Sequence, residues 1–267
     1  PGFTAMPTRD NIIRHIAWLV RDTRPGDVLF FHYSGHGTQV PSRNPSEEED
    51  GMDEALCPVD FRQAGVIIDD DIFSLMVSRL PAGVRLTALF DCCHSGTIMD
   101  LPFEFIGRSG IQHSSQLQMT KNRNRNFSAA DVVMLSGCAD SQTSSDVGNT
   151  ASFGTGSMGA GGAATQALTW ALTNTRGLSY SQMLLQMRDV LAQRKFKQVP
   201  QLSSTKPIDL NKTFSLFGGL EVHAPLMQYV PQQFIVSMPQ QSSYPQSGYS
   251  PQPGYPPRQP GYPPQQP

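Results

Sequence analysis

Ile12, Ile13, Ile16, Leu19 and Val20 recur three and four positions apart, the stripe of one helix face, and Thr8 stands ahead of them as an N-cap. The period then changes. Pro25-Gly26-Asp27 makes a turn, and the apolar run Val28–His32 predicts a buried strand that enters the loop Ser34-Gly35-His36-Gly37. Val84–Phe90 predicts a second buried strand, ending at Asp91-Cys92-Cys93-His94. Asp131–Leu135 predicts a third, ending at Ser136-Gly137-Cys138. Helices are predicted over Asp69–Leu80, Ala163–Thr173 and Ser179–Lys195, and a last strand over Thr213–Val222, broken by Gly218-Gly219. Buried strands alternating with helices predict an α/β fold with a mostly parallel sheet. In such sheets, sites lie beyond the carboxyl ends of the strands.

Composition divides the chain. Residues 1–224 are ordinary for a globular domain. In 225–267 fall 12 of the 22 prolines and 5 of the 7 tyrosines, with Arg258 the one charged residue. A Pro/Gln/Tyr/Gly-rich segment of this kind buries too little apolar surface to offset its ordering entropy, so a disordered or polyproline-like tail is expected. Recruitment of a partner through Tyr and Pro is its sharper alternative. The net charge of −2 gives no basic field for nucleic acid. No apolar run is long enough to span a membrane, and no secretory signal stands at the start. The chain opens on Pro1 rather than Met, so a start further upstream is expected. Four cysteines are too few for a disulfide scaffold of 267 residues. Free thiols in a reducing compartment follow, hence a cytoplasmic or also nuclear location.

The chemistry gathers at two strand ends. If the strands before HYSGHG and DCCHSG are neighbours, their tips lie about 5 Å apart. An imidazole on one tip can then form an ion pair with a thiol on the other and lower its pKa. Gly35, Gly37 and Gly96 permit close backbone approach, and N–H groups after the thiol can form an oxyanion hole. Strand alternation sends Cys92 and Cys93 to opposite faces, one packed and one toward the cleft, without saying which. His32, still within the apolar run, reads as packed; His36, between two glycines, does not. A zinc site from His32, His36, Cys92, Cys93 and His94 is disfavoured, because adjacent cysteines are poor ligands for one ion. Glu47–Asp50, Asp53-Glu54, Asp60, Asp69–Asp71 and Asp100 offer loop carboxylates that suit a hard cation only weakly, since no EF-hand spacing is present. Asp91 beside the cysteines favours a cationic substrate side chain.

With PTRDNIIRHIAWLV, DVLFFHYSGHGTQV, EEEDGMDEALCPVDF, IIDDDI, LTALFDCCHSGTIMDLP, DVVMLSGCADSQTSSD and VPQLSSTKPIDL, the chain from about Pro7 to Val222 resembles the metacaspases, caspase-like cysteine peptidases, in their type I, yeast-like group. The resemblance implies a three-layer α/β/α sandwich, here lacking the family's first strands, so that Val28–His32 would keep an open edge. It implies a cysteine endopeptidase cleaving proteins or peptides after Arg or Lys, with His36 as catalytic histidine and Cys93 as nucleophile. Their separation suits a caspase-type pattern, in which the His lies about 50 residues upstream. It further implies that Asp91 and Ser136 line the substrate pocket and that Asp53, Asp69, Asp70 and Asp100 bind an activating, non-catalytic Ca²⁺. Lys121, Arg123 and Arg125 are candidate self-cleavage sites. The alternative is an inactive caspase-like fragment that acts as an interaction or scaffold protein through its tail.

Overall fold

The computed structural model describes residues 5–43, 51–106, 118–121, 128–137, 146–147 and 161–218. The tail 225–267, Glu47–Asp50, Cys138, Arg123 and Arg125 lie outside them. In chain order the elements are α1 (Arg9–Val20), β1 (Val28–Ser34), β2 (His36–Pro41), β3 (Met52–Cys57), α2 (Phe61–Ala64), β4 (Ile67–Ile68) and α3 (Asp69–Ile72), which continues as a π-turn over Phe73–Val77. Then come β5 (Arg85–Asp91), β6 (Phe103–Ile106), β7 (Gln118–Lys121), β8 (Asp131–Ser136), β9 (Asp146–Val147), β10 (Gly161–Gly162), α4 (Ala163–Asn174), α5 (Tyr180–Gln193) and β11 (Gln201–Ser204).

Two helices start where their caps predict. The Thr8 hydroxyl accepts the Asn11 N–H at 3.3 Å, and Ser179 forms a reciprocal capping box with Gln182. The main sheet has the order β1-β5-β8-β11-β6-β7. β1, β5 and β8 are parallel neighbours, and beyond β8 each neighbour is antiparallel, so four of the six strands run the same way.

Alternation along the parallel strands sorts the core into two layers. Leu89, Val133 and Leu135 pack under α4 and α5 with Met183, Leu184 and Leu191. Leu86, Ala88, Phe90, Val132 and Met134 pack on the other face with Ile16 and Val20 of α1 and Ile72 and Met76 of the α3 segment. The three-layer α/β/α architecture is therefore present. A second sheet, β2-β3-β4, is antiparallel and sits at the carboxyl end of β1.

Four local expectations change. Thr213 makes only an isolated bridge to Ser179, and residues 219–222 lie outside the described set. The strand in this region is instead β11, Gln201–Ser204, buried throughout because it lies between β8 and β6. His36 opens a strand rather than standing in a loop, and Asp53 and Glu54 lie in β3, each only 2% exposed, not on a solvated loop. His32 lies in β1 but is exposed rather than packed. Among the described residues no strand pairs with the outer edge of β1, where Val28 and Phe30 are 41% and 51% exposed.

Candidate active site

The parallel register sets the site. Ser34, the last residue of β1, pairs with Asp91, the last of β5. The turn after Ser34 therefore passes over the segment after Asp91. A Cβ added at Gly37 would overlap the carbonyl oxygen of Cys93, so this crossing requires glycine. His36 precedes Gly37 and pairs across β2/β3 with Cys57. Burial, then the neighbouring Cys93, push the Cys57 thiol up from its ordinary value. His36, Cys57 and Cys93 thus lie around one point.

Alternation resolves the two cysteines. Cys92 continues the Leu86, Ala88, Phe90 side and is fully buried in that layer. Cys93 is half-buried and falls on the Asp91 side. This split also separates two of the residues a shared zinc site would need. His94 follows with φ 51°, a left-handed conformation rare outside glycine, and the Ser95 hydroxyl donates to the Cys92 carbonyl at 2.9 Å. A strained turn directly after a half-exposed thiol is the local form reactive loops take. On the other side, the Tyr33 hydroxyl lies 2.9 Å from the His36 carbonyl and 3.1 Å from that of Cys57, its one hydrogen shared between the two, which fixes the backbone on which His36 is carried. Burial, then Cys92 and Cys57, raise the phenol's pKa, so it keeps the proton it donates.

Asp91 is 2% exposed and caps a helix from outside. The N-cap of α4 is Gly162, which has no side chain to offer. Asp91 Oδ2 accepts the Thr165 N–H at 2.6 Å and the Thr165 hydroxyl at 2.7 Å, a carboxylate at a helix N-terminus. Gly162 must be glycine, since a Cβ there would overlap the carboxylate, and one at Gly137 would come within 3.0 Å of it. Ser136 is buried at the end of β8, one residue before that contact, and its partner in register is Phe90. Gly137 and Gly162, which leave room for the Asp91 carboxylate, and Thr165, which donates to it, were all missed in the sequence reading. Its one signal was a helix whose own N-cap position lacks a capping side chain. Lys121 ends β7, an outermost strand of the main sheet.

Carboxylate oxygens of Asp69, Asp70 and Asp100 lie within 4.8 Å of one another. Asp69 is fully buried, and its oxygens accept the N–H groups of Glu54 and Asp70 at 2.9 and 2.8 Å. Burial above all, with Glu54 and Asp53 nearby, raises its pKa to about 8. Asp53 itself stands behind the trio in β3 and is not among the three clustered groups. Carboxyl oxygens from two converging chain segments, two of the three groups buried, fit a hard divalent cation. Glu54, grouped in sequence only with the loop carboxylates, accepts from Gln39 at 3.0 Å and from Thr97 at 2.6 Å, tying β2 to the loop between Cys93 and Asp100. Asp100, like His94, has a left-handed φ, 50°.

A thiol and an imidazole at the carboxyl ends of adjacent parallel strands, beside a buried acid, are the layout of a cysteine peptidase on an α/β sandwich. Residues 2–102 match the model of the metacaspase, peptidase C14 domain. The chain is 57% identical over 235 residues to metacaspase-5 of Trypanosoma cruzi, covering 88% of this chain and 53% of that protein. It is 60% identical over 216 residues to metacaspase-3 of Trypanosoma brucei brucei, covering 81% and 60%. It is 45% identical over 218 residues to a protein of the same organism named inactive metacaspase-4, covering 82% and 61%. Among solved structures, protein GSU0716 of Geobacter sulfurreducens superposes with a TM-score of 0.51 at 27% identity, over 80% of each chain. The chain belongs to the metacaspase family. It spans about half to three-fifths of the length of these curated relatives.

Proposed function

We propose that this chain is a cysteine endopeptidase that cleaves after Arg or Lys and is stimulated by calcium. Because one relative bears the name inactive metacaspase-4, family membership alone does not carry the reading. What carries it is the contact of Gly37 with the Cys93 carbonyl, which ties the His36 strand to the thiol loop. In this reading His36 takes the Cys93 proton as the thiolate attacks the scissile carbonyl, then passes it to the leaving amine. Water, activated by the same imidazole, hydrolyses the thioester. Backbone N–H groups near Gly37 and Cys93 hold the oxyanion. Asp91 attracts the basic side chain, with Ser136 and Gly137 behind it.

Asp69, Asp70 and Asp100 would hold the calcium, with Asp53 adding charge behind them. The ion would supply positive charge where carboxylates converge and so fasten the Cys93–Asp100 loop to the start of α3. Cysteines at 57, 92 and 93 as thiols would suit action in a reducing compartment. No helix of the described residues is long and apolar enough to cross a membrane. The test is hydrolysis of a fluorogenic peptide ending in Arg by the full chain, with and without millimolar calcium, beside Cys93→Ala. Calcium-dependent hydrolysis lost in the variant is expected. Hydrolysis that survives Cys93→Ala would refute the nucleophile, and equal rates without calcium would refute the cofactor.

A further inference from the structure

His32 is the imidazole of HYSGHG that the reaction above does not use, and its position is specific. It projects from β1 on the same side as Ser34, is exposed, and lines, with His36 and Tyr33, a groove of about 660 Å³ along β1. Its Nε2 lies 3.1 Å from the Thr165 hydroxyl. That hydroxyl has one hydrogen, and the Asp91 carboxylate 2.7 Å away can only accept it. Toward His32 the hydroxyl must therefore accept, so Nε2 carries a proton and Nδ1 is the nitrogen left to titrate. The two steps hold the ring within about 6 Å of the carboxylate.

We propose that His32 is a specificity-setting residue: neutral, it leaves the Asp91 charge to a cationic substrate side chain, and protonated at Nδ1, it becomes the counter-ion of Asp91 and turns Arg and Lys away. This rests on the reading of Asp91 as the acid of a basic-residue pocket. Although the residue is exposed, the protein packed around its ring desolvates the imidazole and lowers its pKa from its ordinary value, opposed by Asp91. The imidazole is therefore neutral at pH 7 and gains its charge on acidification. Among the described residues, the titratable groups around it are Asp91 from β5 and, along the groove, His15 from α1, His36 from β2, Cys57 from β3 and Tyr33 of its own strand. His36 titrates in the chemistry, so the test reads binding rather than turnover.

Agmatine, a guanidinium probe that cannot be cleaved, is titrated calorimetrically into the full chain at about pH 5 and about pH 7.5, either side of the imidazole range. One added charge at about 6 Å in a partly solvated site is expected to weaken binding about tenfold at the lower pH. His32→Gln, which keeps a donor for Thr165 without a titrating group, should hold the tighter affinity at both pH values. His32→Lys should bind weakly at both. A His32→Gln protein with the wild-type pH dependence, or a His32→Lys protein that binds like wild type at pH 7.5, overturns the proposal. In the wild-type protein, saturating agmatine should lower the His32 pKa followed by NMR, because the two binding events are linked reciprocally; an unmoved pKa also overturns it. If Asp91→Asn binds agmatine as tightly as wild type, it is the pocket reading that fails, and the role of His32 fails with it.

Discussion

The capping role of Asp91 and its proposed pocket role can be separated by substitution. As the external cap of α4 it accepts two hydrogen bonds from Thr165 while almost wholly buried. In Asp91→Ala the Thr165 N–H loses its acceptor at a helix start that has no side chain of its own, which costs about 2 kcal/mol. For a domain of this size that is a fall of roughly 4–8 °C in Tm. Asp91→Asn keeps an oxygen in place for Thr165 and loses only the charge, so about 1 kcal/mol or less is expected. Cleavage after Arg should respond in the opposite proportion. Removing the one charge of a desolvated pair costs about 3 kcal/mol, about two orders of magnitude in kcat/KM, and Asn removes it as fully as Ala. The assay is thermal unfolding beside kcat/KM for Arg and neutral-residue peptides, on all three proteins. An Asp91→Asn enzyme within threefold of wild type on the Arg peptide would refute the pocket role. An Asp91→Ala protein as stable as wild type would refute the capping role. The two results are independent.

Other variants probe the strand crossing and the acidic cluster. Gly37→Ala sets a methyl group against the Cys93 carbonyl, so the backbones must part. About 1–3 kcal/mol of stability and about a hundredfold in kcat should go, and unchanged kcat would show that the crossing does not position the site. Cys92→Ala, in the sealed layer with Phe90, should cost about 1 kcal/mol and spare turnover, whereas Cys93→Ala should abolish it; the reverse pattern would transfer the nucleophile. Asp69 holds its proton more tightly folded than unfolded. Its contribution to stability is complete below the unfolded carboxyl range and is lost as pH rises through about 8. In chelator, Tm should therefore fall between about pH 4 and pH 8, flatten in Asp69→Asn, and recover more with calcium at the higher pH. A Tm that climbs over that range in chelator would contradict this account.

The parts of the fold legible in the sequence are those in which a residue's neighbours along the chain settle its environment. β5 and β8 announce themselves because a parallel strand flanked by layers is apolar on both sides, and β1 by the same apolar run although one of its faces is exposed. α1 and α5 do so through Thr8 and Ser179, caps that act within three residues. β11 reads Gln-Leu-Ser-Ser, which has no strand signature, and becomes a strand only because β8 and β6 leave a place between them. β3 carries Asp53 and Glu54, which read as a solvated loop. Glu54 tolerates burial because Gln39 and Thr97 donate hydrogen bonds to it.

The same division runs through the site. Alternation alone says that Cys92 and Cys93 face opposite ways; only the identity of the layer packed on Phe90 says which is sealed. Asp91 reads as an acid beside a thiol, but its state depends on Thr165, 74 positions away, and on glycines at 137 and 162 that leave it room. Capping α4 holds the carboxylate where a cationic side chain would seek it, against a helix N-terminus that favours its charge. A pocket acid held this way cannot be moved without disturbing α4. In the proposed pocket its affinity for a cation is therefore more readily tuned by a neighbour than by displacement, and His32, one hydroxyl away, is a neighbour that gains a charge on acidification.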